Sequence, residues 1–354
     1  MISCDTHIIN PFGEMAFLDL WWSHCSEGFT LLDEMADHPY WQRVFGLRRV
    51  GGAVRVVEAC GAGVGDYLEF DWRQVTPEDV ERFVDAFVAG RWADLLLLPR
   101  LDEEGPTAKL IEAIAEKKRL PVYKLAYDLS PYTALEGTWE EFICRRRSGK
   151  SRSAMRRKAR RLGEKGTLEF RHFSTPAEVE ALMDRVFQIY ERRAEGVYRG
   201  PLWLSDSGQT FLKAWAVSMA ERGVMDLAVM FVGERPLAFC YGFYNDTDYY
   251  QYGLAFDPDP QYYKYSPGLL LEEHQLKFSY SLGLERYDFL LGNESYKQEW
   301  ATANRTINTY VIGKRAAKPV ARLYFQGLKA RQAVRRSATL RPAAERVASV
   351  LRRS

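Results

Sequence analysis

Three side chains with complementary chemistry fall in the string NESYK at residues 293–297, directly after a predicted strand over 285–291. A group-transfer reaction that develops negative charge on an oxygen requires a group that stabilises this charge and a route for the proton of the attacking amine or hydroxyl. Lys297 is suited to the first task, Tyr296 to protonating a leaving group, and Glu294 to accepting a proton if burial raises its pKa. The simpler alternative is a solvated lysine on a loop with Tyr296 packed inward.

A second candidate site lies where a predicted strand over 247–256 is followed by a helix start. Ser266 fits the N-cap and Pro267 the first turn, while Gly268 allows close approach of a ligand or another backbone. A helix N-terminus offers free N–H groups and positive dipole to a phosphate, and Lys264 adds charge. The alternative is a well-capped core helix. The candidate cofactor-binding residues are Phe256, Asp257, Lys264, Ser266, Pro267, Gly268 and Leu269.

Asp288 lies between apolar neighbours of the predicted strand over 285–291. A buried carboxylate must be paired or hydrogen-bonded. We therefore interpret Asp288 as a structural residue that orients the loop at 292–297.

The chain contains two strongly basic segments, although its net charge is only +2. Residues 145–165 hold 11 Lys or Arg and one acid, and residues 314–354 hold 12 Lys or Arg and one acid. The first segment is predicted to be helical and to be either a solvated face or a binding wall for an anionic acceptor. The candidate acceptor-binding residues are Lys150 and Arg152 on this helix and Tyr198 and Arg199 in a loop before Gly200.

The apolar residues of the C-terminal tail recur at helical spacing at Val320, Leu323, Tyr324 and Leu328, with basic residues on the other faces. Such a helix can lie on anionic lipid. A disordered, solvating tail is the alternative.

Composition narrows the class of protein. A length of 354 residues with 47% hydrophobic and 27% charged residues indicates a globular protein of roughly two domains. The five cysteines form no CxxC pair and the five histidines no HxxH pair, so we expect no disulfide, no metal site and a cytoplasmic protein. No secretory signal or membrane-spanning run is visible, and no cysteine or serine stands in a nucleophile motif such as GxSxG.

The glycines of 61–65 lead into a predicted strand at 67–71, which argues against a dinucleotide fingerprint.

Helix-start signals, such as Thr76 at an N-cap with Asp79 three residues on, and β-branched runs predict a mixed α/β fold in two halves. Short links at 233–235 and 245–246 predict an antiparallel meander, and the later strand–helix–strand unit predicts parallel pairing. The first half repeats part of the second, which indicates a weak internal duplication. In the second half we predict strands at 167–173, 224–232, 236–244, 247–256, 285–291 and 305–313, and helices at 176–195, 206–222, 266–283 and 293–303. In the first half we predict helices at 14–27, 77–90 and 107–118, and strands at 53–60, 67–71, 93–99 and 121–127.

This order and two strings resemble a known superfamily. The strings WEEFICRRRSGKSRSAMRRKARRLGEKGTLEF and YSPGLLLEEHQLKFSYSLGLERYDFLLGNESYKQEWA are similar to segments of GNAT acyltransferases of the BioF2-like or CelD-like (cellulose-biosynthesis) family, which is related in fold to Fem-type aminoacyltransferases. The resemblance implies an α+β, duplicated GNAT fold: a truncated GNAT-like domain at 1–134, a GNAT acyltransferase domain at 135–315 and a basic amphipathic tail at 316–354.

The resemblance also implies an activity. In GNAT enzymes the turn before the helix holds the coenzyme A pyrophosphate, and the preceding strand splays from its neighbour to admit pantetheine. In Fem-like relatives the lysine that matches Lys297 lies beside the acyl centre. We therefore expect direct transfer from acetyl-CoA or a longer acyl-CoA to an amine or hydroxyl of a cell-envelope or exopolysaccharide intermediate. We expect no metal, and we place the protein in the cytoplasm with peripheral contact to the inner face of an anionic membrane through its tail.

Two alternatives remain. The usual coenzyme A loop has Arg or Gln followed by several glycines, whereas this loop has only Gly268 and two tyrosines, Tyr262 and Tyr263. With the basic helix, that departure favours a Fem-type transferase that takes its acyl group from aminoacyl-tRNA. The other alternative is a non-catalytic GNAT-fold protein that binds nucleic acid or membrane through its basic faces.

Overall fold

A computed structural model of the protein describes residues 10–35, 37–195 and 201–336. The helices are α1 (Met15–Cys25), α2 (Pro39–Val44), α3 (Pro77–Ala89), α4 (Pro106–Lys117), α5 (Trp139–Arg146), α6 (Gly149–Gly163), α7 (Pro176–Ala194), α8 (Asp206–Glu221), α9 (Pro260–Tyr263), α10 (Pro267–Ser281), α11 (Ser295–Trp300) and α12 (Lys318–Arg336). The strands are β1 (Thr30–Leu31), β2 (Phe45–Val50), β3 (Val54–Ala59), β4 (Leu95–Asp102), β5 (Val122–Ala134), β6 (Leu168–Phe173), β7 (Met225–Val232), β8 (Arg235–Tyr244), β9 (Asp248–Phe256), β10 (Arg286–Asp288) and β11 (Ala303–Gly313).

The chain divides into two compact units that interleave along the sequence. Unit 1 comprises Met1–Glu27, Cys60–Gln74 and Asp128–Thr306, and unit 2 comprises Gly28–Ala59, Val75–Tyr127 and Ile307–Ser354. The domain limits at 134 and 315 therefore remain predictions drawn from sequence order.

Unit 1 carries the predicted meander. Strands β6, β7, β8 and β9 pair in an antiparallel manner in that order, and β10 then pairs with β9 in parallel. The last part of β5 completes the order because it pairs antiparallel with β10. Helix α10 supplies the crossover that parallel pairing requires, so this part of the prediction is confirmed.

Unit 2 repeats part of that order. Strands β2 and β3 form an antiparallel hairpin, and β4 returns through α3 to pair in parallel with β3. The C-terminal part of β11 then pairs antiparallel with β4. The repeated order confirms a duplicated mixed α/β fold with a shorter N-terminal copy. In each unit one further strand comes from the other half of the sequence: β5 beside β10 in unit 1, and β11 beside β4 in unit 2.

Two local predictions in the first half are wrong. The segment 67–71 is not a strand, and the hairpin partner of β3 is β2, which the sequence analysis missed. The alternation at 67–71 has another cause, because Tyr67, Leu68 and Phe70 are buried in an irregular segment of unit 1.

The first-half helix start at Thr76 is confirmed. The hydroxyl of Thr76 accepts from the backbone N–H of Asp79, whose carboxylate in turn accepts from the backbone N–H of Thr76. This reciprocal pair satisfies two backbone donors at the start of α3.

Helix α12 packs its apolar side within unit 2. Val320, Tyr324 and Leu328 pack against a cluster that includes Leu97 of β4 and Val311 of β11. Packing on the protein itself therefore accounts for Val320, Tyr324 and Leu328, whereas Leu323 is exposed. The rest of the predicted tail, residues 337–354, lies outside the described part of the chain. No described helix has the length and apolar composition that crossing a membrane requires.

Replacing Tyr324 with alanine tests this packing. The variant loses a ring packed on the unit 2 cluster and a hydroxyl that accepts from Arg48 at 2.8 Å, so we expect a loss of about 2 kcal/mol in the free energy of unfolding. The matched control is Leu323→Ala, one residue away and 75% exposed, which should change stability by less than about 0.5 kcal/mol. Equal effects in denaturant unfolding would contradict the packing.

Candidate functional site

A gap opens where strands β9 and β10 part. Their parallel pairing runs from Asp248 opposite Arg286 to Tyr250 opposite Asp288 and stops there. Strand β9 continues to Phe256 paired only with β8, while the chain beyond β10 stays on β5. The backbone N–H groups of Phe289 and Gly292 bond to carbonyls at 131 and 129, at 3.0 and 3.1 Å.

The turn away from β9 is held by Asp288. Its carboxylate accepts from the backbone N–H of Leu290 at 2.8 Å, and Leu290 has a left-handed φ of 57°. The same carboxylate accepts from the hydroxyl of Tyr67 at 2.9 Å and forms an ion pair with Arg305. Since Asp288 is fully buried, these partners are needed to keep its charge in the core. Asp288 is buried and paired as predicted, and it holds the backbone at Leu290. Its effect on the loop at 292–297 stays a prediction.

The gap contains a cavity of about 450 Å³. Residues from β9, from the first turns of α10 and from the segment around α11 form its walls, together with aromatic and basic side chains from the α7 region. The residues that line it are Tyr190, Arg193, Trp203, Gln251, Tyr252, Gly253, Leu254, Phe256, Gly268, Leu269, Glu272, Leu291, Glu294, Tyr296 and Lys297. All of them belong to unit 1. The expected opening beside β9 thus exists and reaches Lys297.

The three candidate catalytic residues all line this cavity. Lys297 lies on α11 and is buried, with its Nζ donating to the carbonyl of Leu291 at 2.6 Å and lying 3.2 Å from a carboxylate oxygen of Glu294. Lys297 is therefore not the solvated loop residue of the simpler alternative. The side chain of Glu294 is 55% exposed, so the burial on which its predicted role as proton acceptor depends is absent.

A carboxylate that the sequence analysis missed lies in the same cavity. Glu272, on α10, is fully buried, and burial raises its pKa to about 8 although the charge of Lys297 opposes the shift. With its nitrogen turned towards Glu272, the side-chain amide of Gln251 donates to both carboxylate oxygens, at 2.8 and 3.2 Å. The sequence does contain a signal that Glu272 is buried, because it directly follows Leu269, Leu270 and Leu271. An acid in an apolar helical run is expected to be buried.

The turn before α10 is built differently from the expected cap. Ser266 occupies the N-cap position, but its side chain makes no cap hydrogen bond and instead accepts from Lys158 on α6 at 2.7 Å. Gly268 is required for close packing, because a Cβ there would lie 2.7 Å from Cδ1 of Phe256. Pro267 occupies the first turn of the helix as predicted, and Leu269 lines the cavity.

Two of the predicted cofactor-binding residues are engaged with the protein itself. Asp257 is buried and forms ion pairs with Arg235 at 2.9 Å and Arg192 at 3.3 Å. The Nζ of Lys264 lies 5.3 Å from the centre of the Tyr265 ring. Neither residue lines the cavity.

The two predicted acceptor-binding residues that the structure describes, Lys150 and Arg152, do not line the cavity. Lys150 is exposed at the start of α6, and Arg152 donates to the carbonyl of Arg147 at 2.8 Å. Tyr198 and Arg199 lie outside the described residues. The basic segment instead reaches the site through Lys158, which the sequence analysis did not single out. Within the described residues, no group of three or more His, Cys, Asp or Glu could hold a metal ion.

Comparison with known proteins supports an acyltransferase fold. Residues 149–298 match the family model described as acetyltransferase (GNAT) domain. The structure of FemX is similar over 79% of this chain and 86% of that chain, with 9% identity and a TM-score of 0.55. A conserved protein of unknown function from Bacteroides thetaiotaomicron is similar over 86% of this chain and 92% of that chain, with 12% identity and a TM-score of 0.51. No curated protein sequence matches the chain.

A further structure, L-PGS from Bacillus licheniformis, covers 79% of this chain and 85% of that chain with 13% identity and a TM-score of 0.49. At these identities the likeness to solved structures concerns the fold alone. The family match places a GNAT domain in the C-terminal part of the chain, around the cavity just described.

Replacing Arg305 with alanine tests the hold on the gap. The buried charge of Asp288 would lose its ion pair, so we expect a loss of about 3–5 kcal/mol in the free energy of unfolding. The control is Lys213→Ala, whose partner Asp184 is 73% exposed, and its loss should stay below about 1 kcal/mol. Urea unfolding of both variants measures the difference, and an Arg305→Ala variant as stable as the control would refute the role given to this ion pair.

Proposed function

We propose that the protein transfers an acyl group from acyl-CoA to an amine or hydroxyl in a ternary complex, as a GNAT enzyme of the BioF2-like or CelD-like type. The observation that carries this proposal is the cavity between the parted strands β9 and β10, which reaches the buried ammonium group of Lys297. A parted strand pair gives an extended acyl donor access to backbone groups in the interior of a sheet.

The turn before α10 fits the phosphates of such a donor. Gly268 and Leu269 place the first turn of α10 in the cavity wall, where a helix N-terminus favours anions. Lys158 is held against this turn by its bond to Ser266. The Nζ of Lys165 lies 6.0 Å from the centre of the Tyr262 ring, on the short helix α9 that precedes the turn. Acyl-CoA would supply the activated acyl group, and these residues would bind its anionic end.

The chemistry follows from the groups around the cavity. The ammonium group of Lys297 favours negative charge on the acyl oxygen, and Glu294, paired with Lys297, helps to fix its position. Tyr296 is the candidate for protonating the departing sulfur. Direct transfer is favoured because the described residues that line the cavity include neither cysteine nor serine.

The acceptor proposal rests on charge and on the resemblance. The basic face of α5 and α6 suits an acceptor with an anionic group, such as an intermediate of cell-envelope or exopolysaccharide assembly. We also propose that the protein is cytoplasmic and contacts an anionic membrane through its tail. This contact would depend on the basic side chains of α12, because the apolar side of the helix packs within unit 2.

The same basic face favours a second candidate, transfer from aminoacyl-tRNA. Eleven basic residues between 145 and 165 would bind a polyanion strongly, and only Gly268 is present where a coenzyme A loop usually has several glycines. The two candidates differ in the donor and share the acyl site at Lys297.

Calorimetric titration distinguishes these donors. We expect saturable binding of acetyl-CoA or of a longer acyl-CoA, and binding of charged tRNA that is weak at physiological salt. The variant Lys158→Ala should weaken coenzyme A binding about tenfold, because it removes a charged group held at the α10 turn. Arg160→Ala is the control, since it removes the same charge from a 74% exposed position on α6 and should change the affinity less than about twofold.

Tight tRNA binding that falls steeply with salt, without acyl-CoA binding, would reject the coenzyme A proposal in favour of the second candidate. Binding of neither donor would reject both candidates.

Replacing Lys297 with alanine tests the chemistry. If its ammonium group stabilises the oxyanion, kcat should fall by about 10²–10³-fold while the dissociation constant of acetyl-CoA changes little. Lys277→Ala, at an exposed position on α10, is the control and should keep the native rate. An unchanged kcat for the Lys297 variant would remove this residue from the mechanism.

A further inference from the structure

Two carboxylates line the cavity among the described residues, and their surroundings differ sharply. Glu294 is 55% exposed and directly paired with Lys297. Glu272 is fully buried, lies in the second turn of α10 and is held by the Gln251 amide at 2.8 and 3.2 Å. The hydroxyl of Tyr287 lies 2.5 Å from the same amide, so Gln251 is itself fixed in position.

Burial of an acid in this position is costly unless the acid has a role or a full set of partners. Helix α10 also buries Leu270, Leu271 and Leu276, and none of these three lines the cavity. The carboxylate instead lines the cavity, with Lys297 acting on its charge. The two groups that acyl transfer requires, a cation for the oxyanion and a base for the acceptor, therefore line one cavity.

We propose that Glu272 is the catalytic residue that accepts the proton of the attacking amine or hydroxyl. This assignment rests on the acyl transfer proposed above and replaces Glu294 in that role. Attack forms the bond between the acceptor nitrogen or oxygen and the acyl carbon, and the bond between that carbon and the coenzyme A sulfur breaks. The acceptor's proton passes to the Glu272 carboxylate, and the thiolate takes a proton from Tyr296. After transfer, Glu272 releases its proton to solvent and Tyr296 regains one from solvent.

The position of Gln251 gives this assignment a geometric basis. Gln251 follows Tyr250, the last β9 residue paired with β10, so its side chain lies where the gap begins. The amide holds the carboxylate of Glu272 in the lining of the cavity. An acceptor bound in this cavity beside the acyl group would meet that carboxylate.

The raised pKa of Glu272 gives a measurable signature. Because burial raises that pKa to about 8, the carboxylate form is the minor form at neutral pH and increases as the pH rises. The rate of transfer should therefore rise with pH about tenfold per unit below pH 8 and level off above it. Glu272→Gln keeps the volume and the polar contact with Gln251 but removes the base.

The experiment measures release of coenzyme A thiol from acetyl-CoA with hydroxylamine as the acceptor, whose amine is already uncharged at neutral pH. We expect Glu272→Gln to lower kcat about 10²–10⁴-fold, to remove the rise with pH and to leave acetyl-CoA binding within about twofold. Glu272→Asp should keep the rise with pH at a reduced rate, because it retains a carboxylate. Glu273→Gln, the next residue on α10 but outside the cavity lining, should keep the native rate and profile.

The outcomes separate the two proposals. A native protein that transfers acetyl groups while Glu272→Gln keeps the native rate and pH profile would overturn the role of Glu272 and leave the acyltransferase function standing. A native protein that neither binds acetyl-CoA nor releases thiol would overturn the proposed function, and the assignment of Glu272 with it. Melting temperatures of the variants, measured alongside, show whether a lost rate comes from lost folding.

Discussion

The buried carboxylate of Asp288 sets the geometry on which the site depends. Its bonds to Tyr67, Arg305 and the backbone N–H of Leu290 keep the end of β10 on β5, while β9 continues paired with β8 alone. The left-handed backbone of Leu290 and the buried charge of Asp288 are each unfavourable in isolation. They are stabilised here because the carboxylate accepts from the backbone N–H of Leu290 and is paired with Arg305. The cavity is thus a consequence of local chemistry at one strand end.

The cavity is lined by one ammonium group and two carboxylates whose burial differs. Lys297 is buried with a backbone carbonyl and Glu294 as partners, while the deeper acid, Glu272, has its pKa raised by burial and only partly offset by Lys297. Low dielectric strengthens each of these interactions and lets small displacements change protonation. Groups of this kind are typical of sites that handle protons.

The sequence predicted the parts of this structure that local rules determine. The capping box at Thr76, the meander and the crossover through α10 follow from short-range patterns, and they are found as expected. The strand at 67–71 was wrong because Tyr67 is buried as a hydrogen-bonding partner of Asp288, and alternation does not distinguish that from strand pairing. Lys158 was missed because its contact with Ser266 joins residues more than a hundred positions apart. Glu272 was missed because its contact with Gln251 depends on how β9 and α10 pack, although the apolar run before it indicates burial.

The central claim is that the parted strands admit the acyl donor with its reactive carbon beside Lys297. A crystal structure of the protein with bound acetyl-CoA tests it most directly. We expect the pantetheine arm to lie between the second half of β9 and Leu291, with the thioester oxygen towards Lys297 and the phosphates at the α10 turn. Electron density for the cofactor anywhere else, with the cavity beside Gln251 left to solvent, would contradict it.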